Sequence, residues 1–183
     1  MKKLLCLAAL LLAVACKKET ADPGPTGANT FSCRIEGQDF APYLPPVILG
    51  GVKALDARRV NYQGGLVINA QNSFNELTIY LHTTQGPGVY ILGFAKNPLP
   101  FGSNPDNYSK YTSVPPFIPG VTDPYNLTPP TDYYTDAANA GTVTITRFDT
   151  VAHVAGGTFA YTARAAATGQ VVHVTNGKFD VKF

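Results

Sequence analysis

The 183-residue chain contains no tryptophan, one methionine, three histidines and three cysteines. Glutamate is scarce too, limited to Glu19, Glu36 and Glu76. Each shortage excludes something. There is no Gly-x-Ser-x-Gly elbow, no His-Glu-x-x-His, no Cys-x-x-Cys and no phosphate loop, so the common sequence-local catalytic motifs are missing. His82, His153 and His173 form no i, i+2 or i, i+4 pair that would present two zinc ligands on one strand or helix. Neither a metal nor a cofactor is expected, and no catalytic residue stands out. Beyond the first sixteen residues no run approaches eighteen consecutive apolar residues, so no later segment reads as a membrane-spanning helix. The net charge is only +2, and Lys2 and Lys3 account for it; the remaining basic and acidic side chains balance at twelve each. That balance leaves no concentrated basic face, so nucleic acid is not an expected partner.

What is present begins at the first residue. Lys2 and Lys3 make a basic start, Leu4 to Leu12 an apolar stretch too short to span a bilayer, and Ala13-Val14-Ala15 a small-residue site. This is the layout of an export signal over residues 1–15. The cysteine that follows resembles the lipobox of bacterial lipoproteins, which implies that Cys16 takes the lipid and becomes the mature N-terminus. Several acyl chains at about 0.8 kcal/mol per buried CH₂ would hold the protein to a membrane. After Cys16 the chain turns abruptly polar and breaker-rich. Residues 16–29 therefore read as the lipidated cysteine and a flexible tether, whose thirteen residues after Cys16 reach at most about 45 Å. With Cys6 in the signal and Cys16 lipidated, Cys33 is left without a disulfide partner. It alternates with Phe31 and Ile35, as a small buried hydrophobe does.

Residues 30–183 are expected to form one all-β domain. Phe31, Cys33 and Ile35 alternate with polar residues before a Gly37-Gln38 turn, and Leu66/Ile68/Ala70 and Leu77/Ile79/Leu81 repeat the pattern. Val47 to Arg59 is ambiguous, with a short helical turn open around Ala54-Leu55-Asp56-Ala57. The strongest β signal lies in 141–183. There Asn176-Gly177 sits between alternating runs and predicts a two-residue hairpin turn. Successive hairpins with one apolar face each should pack as an antiparallel β-sandwich or a flattened barrel.

Residues 95–135 break the pattern. Nine of the fifteen prolines fall here, interspersed with Tyr and Phe. Since proline is excluded from central strands, this stretch reads as a long surface excursion, and such loops are often functional when they occur. Its Tyr108, Tyr111, Phe117, Tyr125, Tyr133 and Tyr134 form the candidate ligand-contact set, weighed against a plain role in covering the sheets. Asp106, Asp123, Asp132 and Asp136 are the carboxylates a glycosidase pair would draw on, although their Pro and Asn neighbours suit turns equally well. Asp149-Thr150-Val151 resembles an acceptor for bacterial protein O-glycosylation, which makes Thr150 the candidate modification site.

Taken in order, the lipobox, Phe31-Ser32-Cys33-Arg34-Ile35-Glu36-Gly37-Gln38, Gly141-Thr142-Val143-Thr144-Ile145-Thr146-Arg147-Phe148-Asp149-Thr150, Gly157-Thr158-Phe159 and Asn176-Gly177-Lys178-Phe179-Asp180-Val181 resemble a family of small, functionally uncharacterised lipoproteins of Bacteroidota-type Gram-negative bacteria. The resemblance implies an outer-membrane lipoprotein and no particular chemistry. Lys17-Lys18-Glu19 carries one acidic residue, which leaves both the periplasmic face and the cell surface open. The expected function is a non-enzymatic binding or interaction module held to the membrane by its lipid, with an envelope protein or a glycan as partner. The alternatives are a glycan-directed hydrolase using loop carboxylates and a purely structural envelope lipoprotein.

Overall fold

The computed structural model describes residues 24–44, 52–60, 64–93, 107–113 and 129–183. Among these residues there are eleven strands and no helix: β1 (Thr30–Ile35), β2 (Gln38–Phe40), β3 (Leu55–Val60), β4 (Gly65–Gln71), β5 (Asn75–Leu81), β6 (Gly88–Leu92), β7 (Tyr108–Ser113), β8 (Thr131–Tyr134), β9 (Gly141–Asp149), β10 (Val154–Arg164) and β11 (Val171–Lys182). Every pairing is antiparallel. The expected all-β class is what the chain adopts, as one sheet curled into a half-barrel.

The curl happens at β10. One edge of this long strand pairs with β11, which pairs with β1 and through it β2. The other edge is shared: β9 takes Val154 to Tyr161, and β8 takes Arg164. From β8 the path continues through β7, β5, β4 and β3, folding back over the rest. The result is two facing layers. The first holds β2, β1, β11, β10, β9 and β6, and the second holds β8, β7, β5, β4 and β3. Between them lie Phe31 and Cys33 of β1, Phe159, Tyr161 and Ala163 of β10, Val172, Val174, Phe179 and Val181 of β11, and Leu66, Ile68, Leu77 and Ile79 of the second layer. Each of these strands sends every second residue into the core, with one change of phase in β11, so burying that face fixes its register. Arg59 of β3 lies over the rings of Phe148 and Phe183, 5.2 and 5.8 Å from their centroids, and joins the layers at that end.

Three local expectations are corrected. Asn176-Gly177 is not a hairpin turn: β11 runs straight through it, and both halves pair with β10 and β1. The inward residues change parity there, from Val172 and Val174 to Phe179 and Val181. Asn176, at φ 54°, absorbs the change as a bulge opposite the register shifts in β1 and β10. The helical turn around Ala54-Leu55-Asp56-Ala57 is instead the start of β3, whose Leu55 and Ala57 pack on the core. Two strands also lie inside the 95–135 excursion. The nine prolines there all fall outside β7 and β8, and β7 is a central strand between β5 and β8. Proline therefore bounds these strands without interrupting them.

Candidate functional site

The second layer differs from an ordinary sandwich sheet in having a structured outer face as well as an inner one. Pairing sets Val67 of β4 beside Tyr80 of β5 and Tyr80 beside Tyr108 of β7. All three are buried, separate from the main core, with Val60 and Tyr134 packed against them. The Tyr80 and Tyr108 rings stack at 5.0 Å. Burial, with Tyr80 and Tyr134 close by, pushes the Tyr108 phenol up to about 12. One row along, Asn69, Thr78, Lys110 and Tyr134 lie side by side, and the Thr78 hydroxyl donates to Asn69 Oδ1 at 3.0 Å. The Lys110 ammonium sits 5.8 Å from the Tyr134 ring centroid and 3.1 Å from Asp132 Oδ1, which also accepts from the Thr112 hydroxyl at 2.7 Å. Burial first, and then the Asp132 carboxylate, push the Tyr134 phenol up to about 12. Here the face is half-exposed, so a flat aromatic edge with a fixed cation and a fixed carboxylate is open to a ligand.

The six aromatic residues singled out from the sequence do not form one surface. Tyr108 and Tyr134 belong to this outer face. Tyr111 points into the core, donates to Asn75 Oδ1 at 2.6 Å and lies 5.5 Å from the Tyr133 ring. Tyr133 reaches the β10–β11 turn, where its hydroxyl donates to Gln170 Oε1 at 3.3 Å. Phe117 and Tyr125 lie outside the described residues, as do Cys16, the 1–15 segment, Asp106 and Asp123. Alternation explains the split, because neighbouring strand residues face opposite ways.

The other candidates are accounted for locally. Asp132 is held by Lys110 and Thr112. Asp136 closes a turn: its Oδ1 accepts from the Ala138 and Asn139 amides at 2.9 and 2.7 Å, and Arg164 approaches its Oδ2 at 3.5 Å. Desolvation raises the pKa of Asp136, but the hydrogen bonds from Asn139 and Ala138 outweigh it and hold the group below the ordinary carboxylate range. His173 contacts the Thr162 hydroxyl at 3.2 Å on the first layer, while His82 follows β5 in the second. Among the described residues no three His, Cys, Asp or Glu side chains are grouped to hold a metal. Thr150 is exposed in the β9–β10 turn, which Asp149 closes by accepting from the Val151 and Ala152 amides at 3.0 and 2.8 Å. Cys33 is buried, and burial pushes its thiol up to about 12, which suits packing and opposes nucleophilic use.

Sequence reasoning missed one feature entirely. Residues 25–29, read as part of the tether, are clasped to the first layer. The Thr26 amide and hydroxyl donate to Asp180 Oδ2 at 2.7 and 3.1 Å, and the Gly27 amide donates to Asp180 Oδ1. Arg147 Nη1 donates to the Pro25 carbonyl at 2.7 Å, and Asn29 Oδ1 accepts from the Lys182 amide at 2.8 Å. Desolvation opposes ionisation of Asp180, yet the backbone hydrogen bonds from Thr26, Gly27 and Ala28 prevail and lower its pKa. No local pattern announces a carboxylate more than 150 residues away; the alternation of Asp180 with Phe179 and Val181 says only that it faces outward.

No curated protein and no solved structure matches the chain. Residues 53–181, which run from β3 to the last but one residue of β11 and leave residues 25–29, β1 and β2 outside, match the family model described as a domain of unknown function, DUF6252, and the chain belongs to that family.

Proposed function

We propose that this is a lipid-anchored protein of the bacterial cell envelope, an outer-membrane lipoprotein joined through Cys16, that works as a non-enzymatic binding or interaction module. The observation that carries the binding role is the outer face of the second layer. Tyr134, Lys110 and Asp132 are held there in fixed register on neighbouring strands and are half-exposed. A preorganised aromatic edge beside a cation and a carboxylate loses little entropy on contact and can meet a sugar hydroxyl or a peptide group. A hydrolase needs two carboxylates free to act across a cleft. Asp132 and Asp136 are instead engaged by neighbours, which weakens that alternative.

A purely structural role is the second reading, and the burial of Tyr108 and Tyr111 favours it. A photo-crosslinking residue at Tyr134 in living cells separates the two. Binding predicts a discrete adduct from Tyr134 and none from Ala160, exposed on the first layer. A structural role predicts no adduct at either position. Fatty-acid labelling that is lost in Cys16→Ala tests the anchor, and protease shaving of intact cells tests whether the domain faces outward.

A further inference from the structure

We infer that the clasp end of the first layer is the surface laid against the bilayer, with the β9–β10 turn touching the headgroups. The inference rests on the Cys16 anchor proposed above and adds an orientation to it. If the lipid is on Cys16, only residues 17–23 separate it from Gly24, the residue next to the clasped Pro25. Seven intervening residues span at most about 28 Å in any conformation. A body of this length is roughly 40 Å across. The anchor therefore cannot reach round the molecule, and the side where the chain leaves must stay near the membrane.

That side is defined by contacts. Pro25 packs on Gly156, the third residue of β10, and its carbonyl is held by Arg147, two residues before the end of β9. Gly27 lies against the side chains of Lys182 and Val154. The exit is thus next to the turn that carries Val151, the most exposed large hydrophobic side chain of the described residues at 90%. Lys178 and Lys182 are exposed nearby on β11, and among the described residues neither ammonium has an ion pair. The neighbouring acids are engaged elsewhere, Asp180 by the clasp and Asp149 by Arg147 and its own turn. An apolar tip flanked by free cations suits an interface of anionic headgroups over hydrocarbon. The β10–β11 turn lies at the other end of β10, roughly 35 Å away, and Tyr133 contacts that end through Gln170.

The test uses the full-length lipidated protein in vesicles of phosphatidylethanolamine and phosphatidylglycerol carrying a nitroxide on the headgroup. A fluorophore is placed on Val151→Cys or on Thr168→Cys; Cys33 is buried and stays unlabelled. Quenching at position 151 is expected to exceed that at 168 by at least about threefold. Inserting twelve Gly/Ser residues between Ala21 and Asp22, outside the domain, is expected to bring the two positions close to parity. Flotation with the vesicles reads the anchor independently. Loss of flotation removes the anchor and this inference with it. Flotation with equal quenching at 151 and 168 overturns the orientation, whereas a difference that survives the insertion upholds the orientation through Val151 and the lysines and overturns the short tether as its cause.

Discussion

The two layers are built from the same chain by different rules. Away from the clasp, the long strand of the first layer has one buried face and one open one: Phe159, Tyr161 and Ala163 point in, while Thr158 and Ala160 are exposed. In the second layer the central strands β4, β5 and β7 are buried on both sides. Along β5, Leu77, Ile79 and Leu81 face the core, and Thr78 and Tyr80 between them are buried as well. A one-faced strand presents surface that can change freely, whereas a two-faced strand constrains nearly every position. The candidate contact face lies where the second layer's outer cluster gives way to half-exposed side chains, so its residues are held by a packed floor.

The sharpest way to break the comparison is to truncate outward-facing residues in each layer. Tyr80→Ala removes a fully buried ring stacked on Tyr108 and is expected to cost about 3–5 kcal/mol, as much as a core deletion. Thr158→Ala, equally outward-facing but in the first layer, is expected to stay within about 0.5 kcal/mol. Urea unfolding midpoints of the two variants measure this. If Tyr80→Ala proves as mild as Thr158→Ala, the second layer has one structural face, not two.

Adjacent glycines sharpen the same point inside β10. A Cβ at Gly157 would lie 2.0 Å from the Thr144 carbonyl oxygen, part of the neighbouring strand's backbone. A Cβ at Gly156 would meet Pro25 of the clasp at 2.1 Å. Backbone in a sheet cannot give, but the clasp can lift. Gly157→Ala is expected to cost about 3 kcal/mol, and Gly156→Ala about 1 kcal/mol, with faster amide exchange over 26–29 only in the second. Thermal unfolding and hydrogen exchange together decide it.

The layers also differ in how readily the sequence reveals them. The β1–β2 hairpin and the alternation in β4, β5 and β10 are readable because each apolar face is supplied by local period-two pattern. Asn176-Gly177 misleads because the same pair serves a hairpin turn or a bulge, and only the partners of Val174 and Phe179 tell them apart. Tyr108 to Ser113 is masked by surrounding prolines, although its own six residues contain none. The aromatic set could be found as a composition, but its division into Tyr108 and Tyr134 outside and Tyr111 inside depends on strand phase. Asp180 is legible only as an outward residue, since its ligands arrive from the far end of the chain.

Alkaline pH probes both layers at once. Burial raises Cys33 and Tyr161 of the first layer, Tyr108 and Tyr134 on the second layer's outer face, and Tyr111 on its inner face. A group with a raised native pKa keeps its proton in the folded state after the unfolded chain has released it. Stability is therefore unaffected below about pH 9 and falls as pH rises toward 12. The melting temperature should drop across that window, and tyrosinate absorbance should show several phenols titrating only with unfolding. In Cys33→Ala the decline is expected to begin later, because the thiol has the lowest unfolded pKa of the set.

The smallest effect is expected at the clasp, which belongs to the first layer yet contributes no strand. Asp180→Asn keeps the shape and removes the charge that the Thr26 and Gly27 amides share. The carboxylate is near the surface, so the loss of global stability should be under about 1 kcal/mol. Locally the effect should be clear, with amide exchange at 26–28 accelerating while β10 and β11 stay protected. The native pKa of Asp180 is depressed, so its contribution is present above the ordinary carboxylate value and disappears as pH falls through the native one. Acidifying the wild type should therefore give the Asn variant's protection factors over 26–28 once the pH lies below the native value, itself under the ordinary carboxylate value, and before the sheets open. If exchange over 26–29 is fast at neutral pH in the wild type as well, the carboxylate does not hold the segment.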